Sequence, residues 1–176
     1  LPIVAAVSGA AIGGGLGLAM VADFRVASPE TRFSANFSRL GFHPGFGLSV
    51  TLPRAIGEQN ATLLFYTGRR IDGREAHRIG LADVLVSKEE LFGRALNLAT
   101  EIAQSSPIAV QSVRATLRVG LADRIAAATE HELAEQEKHF ATEDFKEGVA
   151  AMAERRLPNF RGAPERTASD AGKEPA

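Results

Sequence analysis

Ile3-Val4-Ala5-Ala6-Val7 is an unbroken apolar run with no polar position on either face. Such a run predicts a buried central strand. Ser8-Gly9 closes it as a turn, and Gly13-Gly14-Gly15 leads into an apolar stretch that predicts a short helix over 16–22. Further strands are predicted over 24–27, 32–35 and 84–86, with Asp23 and Ser28-Pro29-Glu30 as punctuation. Residues 41–47 are rich in Gly and Pro and read as loop; 48–55 and 60–65 read as short helices parted at Gly57. Asp72 predicts the N-cap of a helix over 73–79, with Gly80 just past its end.

From Ser87 onward the pattern becomes helical. Ser87 and Glu90 form a capping-box pair, and Leu91, Ala95, Leu98 and Ile102 recur at helical spacing. Pro107 suits the first position of the next helix, which carries Val110, Val113 and Leu117. Two more helices are predicted over 123–140 and 143–156, the second ended by Pro158. The first of these has few large apolar residues, mainly Ile125, Leu133 and Phe140, which predicts a wet interface between copies of the chain. Residues 163–176 hold no large apolar side chain and predict a disordered tail. The whole reads as α/β (α+β): strand–turn–helix units over 1–86, a helical oligomerisation part over 87–162, and the tail over 163–176.

Composition removes several function classes. A formal charge of −1 in 176 residues argues against a generally basic nucleic-acid binder or a polybasic membrane-surface protein. No apolar run reaches the roughly 18 residues that span a bilayer. The absence of cysteine excludes disulfides, thiolate zinc sites and cysteine nucleophiles, and is compatible with a cytoplasmic location. The opening at Leu1-Pro2, already inside an apolar run, predicts that the sequence begins partway through a domain.

The glycine cluster is the most informative local feature. It is not a dinucleotide fingerprint, because Leu18 and Met20 stand where a third glycine belongs, and not a phosphate P-loop, because no lysine precedes Lys88. Two readings remain: backbone N–H groups that stabilise an oxyanion, or close helix–strand packing that needs small residues. Ser8 lacks the glycine two residues before it that a nucleophile elbow requires. His131 and His139 lie too far apart for a paired metal motif and read as solvated or interfacial; His77 reads as surface, and no metal site is expected.

Residues 2–23, from Pro2-Ile3-Val4 through Gly13-Gly14-Gly15-Leu16-Gly17 to Ala22-Asp23, resemble the signature of the crotonase, or enoyl-CoA hydratase/isomerase, superfamily. The resemblance continues in Leu52-Pro53-Arg54-Ala55-Ile56-Gly57 and Thr67-Gly68-Arg69-Arg70-Ile71-Asp72, and in Glu75-Ala76 with Ile79-Gly80-Leu81. It ends in Phe140-Ala141-Thr142-Glu143-Asp144, Glu147-Gly148 and Glu154-Arg155-Arg156-Leu157-Pro158-Asn159-Phe160. It covers 1 to about 162 in family order, and implies a crotonase/ClpP-like ββα spiral with C-terminal helices that build trimers or hexamers.

The implied chemistry is stabilisation of an enolate oxyanion on an acyl-CoA thioester, with CoA as part of the substrate and no other cofactor. By resemblance Gly14 supplies one oxyanion N–H; the other belongs to a segment before Leu1. The resemblance places Gly13, Gly14, Asn36, Phe37, Leu40 and Gly45 at the substrate, and Arg155 at the CoA phosphates across a subunit boundary. It also shows departures. Hydratases of the family hold glutamates at the positions of Gly17 and Phe37, and an aspartate used by some members falls at Gly45. Neither glycine nor phenylalanine can do acid–base work. His43 is the titratable group that the loop brings toward the reacting carbon, and imidazole suits proton transfer near neutral pH; the alternative is a loop histidine packed beside Pro44 and Phe42 or facing water. The implied function is acyl-CoA processing without efficient hydration. The alternatives are a non-catalytic acyl-CoA-binding or assembly subunit, or an inactive fragment.

Overall fold

A computed structural model describes residues 1–162 of the chain. Two small sheets form in a winding order. In the first, β1 (Val4–Val7), β3 (Phe24–Ala27) and β6 (Val84–Leu85) run parallel in the order β1-β3-β6. In the second, β4 (Arg32–Ser34) lies between parallel β2 (Ala10–Ile12) and antiparallel β5 (Ile71–Asp72). Each step in the spiral is a strand pair followed by a helix: β1, β2 and α1 (Gly14–Ala19), then β3, β4 and a 3₁₀ turn over Asn36–Leu40.

Several expectations need correction. The central strand is β3, whose two edges are both paired; β1 lies at the edge of its sheet with Ala6 exposed. The turn at Ser8-Gly9 leads first into β2, whose three residues are too few to carry a period. The short helix starts at Gly14 and ends at Ala19, earlier than the apolar run suggests, because the chain turns back there and Asp23 and Phe24 donate to the Ile3 carbonyl. β5 is only two residues long and also escapes pattern reading.

The helices that follow are α2 (Leu48–Ile56), α3 (Glu58–Thr67), α4 (Gly73–Arg78), α5 (Leu91–Ala103), α6 (Pro107–Leu117), α7 (Leu121–Phe140) and α8 (Glu143–Ala153). Asp72 caps α4 by accepting from the Glu75 N–H at 2.9 Å, and Pro107 opens α6. The Ser87/Glu90 capping box is present, but it closes a 3₁₀ turn over Lys88–Glu90 before α5 begins. α8 stops at Ala153, short of Arg156, because Arg155 turns left-handed at φ 58°. The tail expected over 163–176 lies outside the described residues.

The main core gathers Leu16, Phe33, Leu48, Leu52, Leu64 and Leu81 between the second sheet and helices α1 to α4. A smaller cluster of Val26, Leu91 and Ala95 joins β3 to α5. Arg25 is buried on β3, where it would be costly without partners. Its Nε donates to the Leu81 carbonyl at 2.6 Å, and its other nitrogens reach the Ala22 carbonyl and Asp83. Among the described residues no helix is long and apolar enough to cross a membrane.

Candidate active site

The glycine-rich turn is built from β2 into α1. Gly13 has φ 54°, a left-handed conformation that favours glycine, and its N–H donates to the Ser34 carbonyl of β4 at 2.9 Å. That amide is therefore spent on the sheet. Gly14 opens α1, and as the first residue of a helix its N–H has no acceptor within the helix. The first turn carries no acidic side chain and no side-chain cap. A methyl group placed on Gly13 would lie 3.3 Å from Asn36 Oδ1 and 3.8 Å from the ring of buried Phe37. The structure thus brings Gly13, Gly14, Asn36 and Phe37 together.

The residue that completes this corner is one the sequence did not single out. Phe46 lies with its ring against α1: a methyl group on Gly14 would be 2.8 Å from its Cε2, and one on Gly17 2.5 Å from its Cβ. Phe46 holds a left-handed backbone at φ 63° and is 65% exposed. The packing reading of the glycines describes a real contact. Gly17 is small because Phe46 packs on it, while the Gly14 N–H stays without a helical acceptor.

Behind Phe46 the loop is clamped from the other side. Gly45 is buried against Gln136, whose Nε2 donates to the His43 carbonyl at 2.9 Å. Gly47 abuts Ile125, and the buried Glu132 carboxylate accepts from the Gly47 N–H at 2.7 Å. Leu40 packs directly on Gly148 of α8, and Gly41 on the Asp144 carbonyl. Phe42 anchors the loop in an aromatic group with Phe37, Phe140 and Phe145, with ring centroids 5.3–5.7 Å away.

His43 faces α7. Its N–H donates to His139 Nδ1 at 3.1 Å, its ring stacks on His139 at 6.5 Å, and it meets the His131 ring edge-on at 5.9 Å. His131 is exposed and His139 half-buried, and the loop folds back so that both meet His43. His43 Nδ1 lies 2.8 Å from the Pro44 carbonyl, which only accepts, so Nδ1 carries the hydrogen and the neutral ring keeps its lone pair on Nε2. Arg155 stands exposed just past α8; its neighbour Arg156 pairs with Glu147 and Glu154. No group of three or more His, Asp or Glu among the described residues is arranged to hold a metal.

A cavity of about 760 Å³ runs from Gly17 and Phe46 along Met20 and Val21 to Val113 and Leu117 of α6. Its far end is polar. Asp23 accepts from Arg114 at 3.0 and 3.1 Å, from Arg118 at 2.6 Å and from the Ile3 N–H at 2.8 Å. Burial works to raise the Asp23 pKa, but the Ile3 N–H and the two guanidinium groups together hold it below the usual carboxylate value. At the Gly17 end the walls are glycine and aromatic, with no acid or base at those two positions.

Comparisons with known proteins point one way. The family described as "Enoyl-CoA hydratase/isomerase" matches residues 1–163. The crotonyl-CoA hydratase of Syntrophomonas wolfei is 40% identical over 159 residues, 90% of this chain and 61% of that protein. A probable enoyl-CoA hydratase of Rhizobium meliloti is 39% identical over 160 residues, 91% of this chain and 62% of that one. An enoyl-CoA hydratase/isomerase structure from Pseudoalteromonas atlantica T6c superposes with a TM-score of 0.80 at 31% identity, covering 90% of this chain and 63% of that one. A carnitinyl-CoA dehydratase from Mycobacterium avium 104 gives 0.83 at 27%, covering 92% and 64%. The chain spans less than two thirds of the length of the curated relatives it matches.

Proposed function

The chain belongs to the enoyl-CoA hydratase/isomerase family and has the crotonase fold, and from that membership we propose that it binds an acyl-CoA thioester and stabilises an enolate oxyanion through the Gly14 N–H. The observation that carries this reading is the Gly14 amide, without a helical acceptor, three residues before Gly17, which borders the cavity together with Phe46. A fixed N–H aimed at developing charge contributes to rate because it needs no reorganisation during the reaction. This reading also assigns Gly13, Asn36, Phe37, Leu40 and Gly45 to the acyl-CoA substrate, and Arg155 to the CoA phosphates.

Hydration is slow in this reading. Adding water to a double bond needs a base for the water and an acid for the α-carbon. Gly17 and Phe37 supply neither, and Phe46 fills the space beside Gly17 where a side chain would stand. His43, whose ring is turned toward His131 and His139 of α7, is the group of the loop that this reading assigns to proton transfer. The protein assembles as a trimer or hexamer through the helical part over 87–162 and works in the cytoplasm with no cofactor beyond the CoA of its substrate.

A second reading, an acyl-CoA-binding subunit without catalysis, is favoured by the same glycine and aromatic walls. One experiment separates the two. The protein, expressed from its complete reading frame, is mixed with butanoyl-CoA in D₂O and followed by NMR. Solvent deuterium entering the α-carbon, lost in Gly14→Pro and reduced in His43→Gln, supports the enolate reading. Binding without exchange supports the subunit. Crotonyl-CoA hydration at rates typical of good enzymes would overturn the proposed handicap, and a stable monomer in light scattering would remove the assembly.

A further inference from the structure

We propose that the loop over residues 41–47 is clamped to α7 by a histidine contact that protons open: near neutral pH His139 holds the loop, and in mild acid it lets go. The inference goes beyond the proposed function and concerns the loop whatever ligand the site takes.

α7 carries His131, Glu135 and His139 at successive spacings of four, so the three side chains share one stripe of the helix. The loop lays His43 on that stripe. The His43 ring lies nearly parallel to the His139 ring at 6.5 Å and meets the His131 ring edge-on at 5.9 Å. The contact that fixes it is polar: the His43 N–H donates to His139 Nδ1 at 3.1 Å. A ring nitrogen accepts only while it carries no hydrogen, so this bond exists only with His139 neutral. A proton on Nδ1 removes the acceptor and sets a donor against a donor.

The neighbours of His139 favour that proton. Histidine is the side chain that ordinarily changes charge between pH 5 and 8. Glu135 lies between the two α7 histidines. The Lys138 hydrogen bond above all holds its carboxyl below the ordinary carboxylate value, and His131 and His139 add to the effect. It therefore keeps its negative charge in mild acid and favours the cationic form of both α7 rings. The charged groups of the elements packed on α7 are engaged elsewhere. On α8, Glu143 pairs with Lys146, Asp144 accepts from the Arg161 and Gly162 N–H groups, and Glu147 pairs with Arg156. On α2, Arg54 donates to the Leu117 carbonyl, and Glu132 of α7 is taken up by Gly47 and Ser49.

The release is local. The Gly47 N–H stays on the Glu132 carboxylate and Phe42 stays among Phe37, Phe140 and Phe145, so both ends of the segment 43–46 remain anchored. Between them Gln136 Nε2 still donates to the His43 carbonyl at 2.9 Å, one tie where neutral pH gives two. Phe46 belongs to the loosened segment, and its ring packs on Gly14 and Gly17. Acid thereby loosens the corner beside α1, and neutral pH closes it.

Hydrogen–deuterium exchange of the protein expressed from its complete reading frame tests this at pH about 7.5 and about 5.5, each rate divided by that of the unfolded chain at the same pH. The wild type is expected to lose protection over 43–46 about fivefold or more in acid, the effect of one lost hydrogen bond, while α3 keeps its protection. His139→Asn puts an amide oxygen close to the place of Nδ1 and cannot titrate; its loop is expected to change less than about twofold. His139→Leu removes the acceptor and is expected to show the acid level of exchange at both pH values. Equal protection of the wild-type loop at both pH values overturns the inference, and that comparison needs no variant. An equal loss in α3, which would make the opening global, overturns it too, as does a His139→Asn loop that loosens in acid as the wild type does.

Discussion

Glu132 and Ser49 are joined twice across eighty-three residues: one carboxylate oxygen accepts from the Ser49 N–H at 3.0 Å and from its hydroxyl at 2.6 Å. The other oxygen takes the Gly47 N–H. The carboxylate is 1% exposed and serves the first N–H groups of α2, which have no acceptor within their own helix. Glu132→Ala strands these donors and is expected to cost about 3 kcal/mol or more, whereas Glu132→Gln, which keeps one acceptor, costs about 1–2 kcal/mol. Urea unfolding of the purified chain measures both; a loss below about 1 kcal/mol for the alanine variant would mean that water takes over the carboxylate's role.

Gly17 and Phe46 form a steric pair that a double-mutant cycle can read. Gly17→Ala is expected to destabilise by about 1–3 kcal/mol, because the new methyl meets Phe46 Cβ at 2.5 Å and not a yielding ring edge. In a Phe46→Gly background, which removes the Cβ together with the ring, the same change is expected to be neutral or to stabilise by up to about 1 kcal/mol, as alanine does in an open helix. Equal costs in both backgrounds would place the obstruction elsewhere.

Two helical glycines should respond to alanine with opposite signs. A methyl on Gly93 of α5 meets nothing within 4 Å, so Gly93→Ala is expected to stabilise by about 0.5–1 kcal/mol. A methyl on Gly148 of α8 would lie 2.5 Å from the Leu40 carbonyl carbon, so Gly148→Ala is expected to cost about 2 kcal/mol or more and to loosen α8 from the loop. Thermal melts of the two variants check the pair.

Acid sensitivity has a named contributor. Two bonds from Arg156, at 2.5 and 2.9 Å, and one from the Asn159 N–H at 2.7 Å hold the Glu147 pKa at about 2 against an ordinary 4.5. A depressed pKa in the folded state gives stability that is present above the unfolded value and lost as pH falls toward the folded one. The wild type is therefore expected to lose stability relative to Glu147→Gln between pH 4.5 and 2, with the difference constant at higher pH. Urea midpoints at pH 7, 5, 3.5 and 2.5 measure it; parallel profiles for the two proteins would remove Glu147 from the account.

Local chemistry made much of the fold legible. Asp72 as a cap, Pro107 as a helix start and the apolar run of β3 each act on their own neighbours, so sequence alone reveals them. The candidate site was legible only in part. Gly14 stood out because a glycine run after a strand is rare. Phe46 did not, because its partners Gly14 and Gly17 are distant in sequence and nothing local marks a left-handed phenylalanine. Glu132 was hidden among Glu130, Glu135 and Glu137, where a buried carboxylate looks like one more solvated charge. Arg25 did leave a signal: a lone cation inside an apolar strand needs a dedicated set of acceptors.

Those acceptors impose an order of events on a growing chain. When residues 24–27 emerge during synthesis, the Arg25 guanidinium has only the Ala22 carbonyl nearby; Leu81 and Asp83 follow fifty-six and fifty-eight residues later. The Val26–Val84 pairing that gives β3 its second edge waits equally long. Until then the cation lacks the acceptors that make its burial tolerable. Closing the sheet and dehydrating the cation become one late step, so the first sheet cannot be complete before the chain reaches α4 and the turn beyond it.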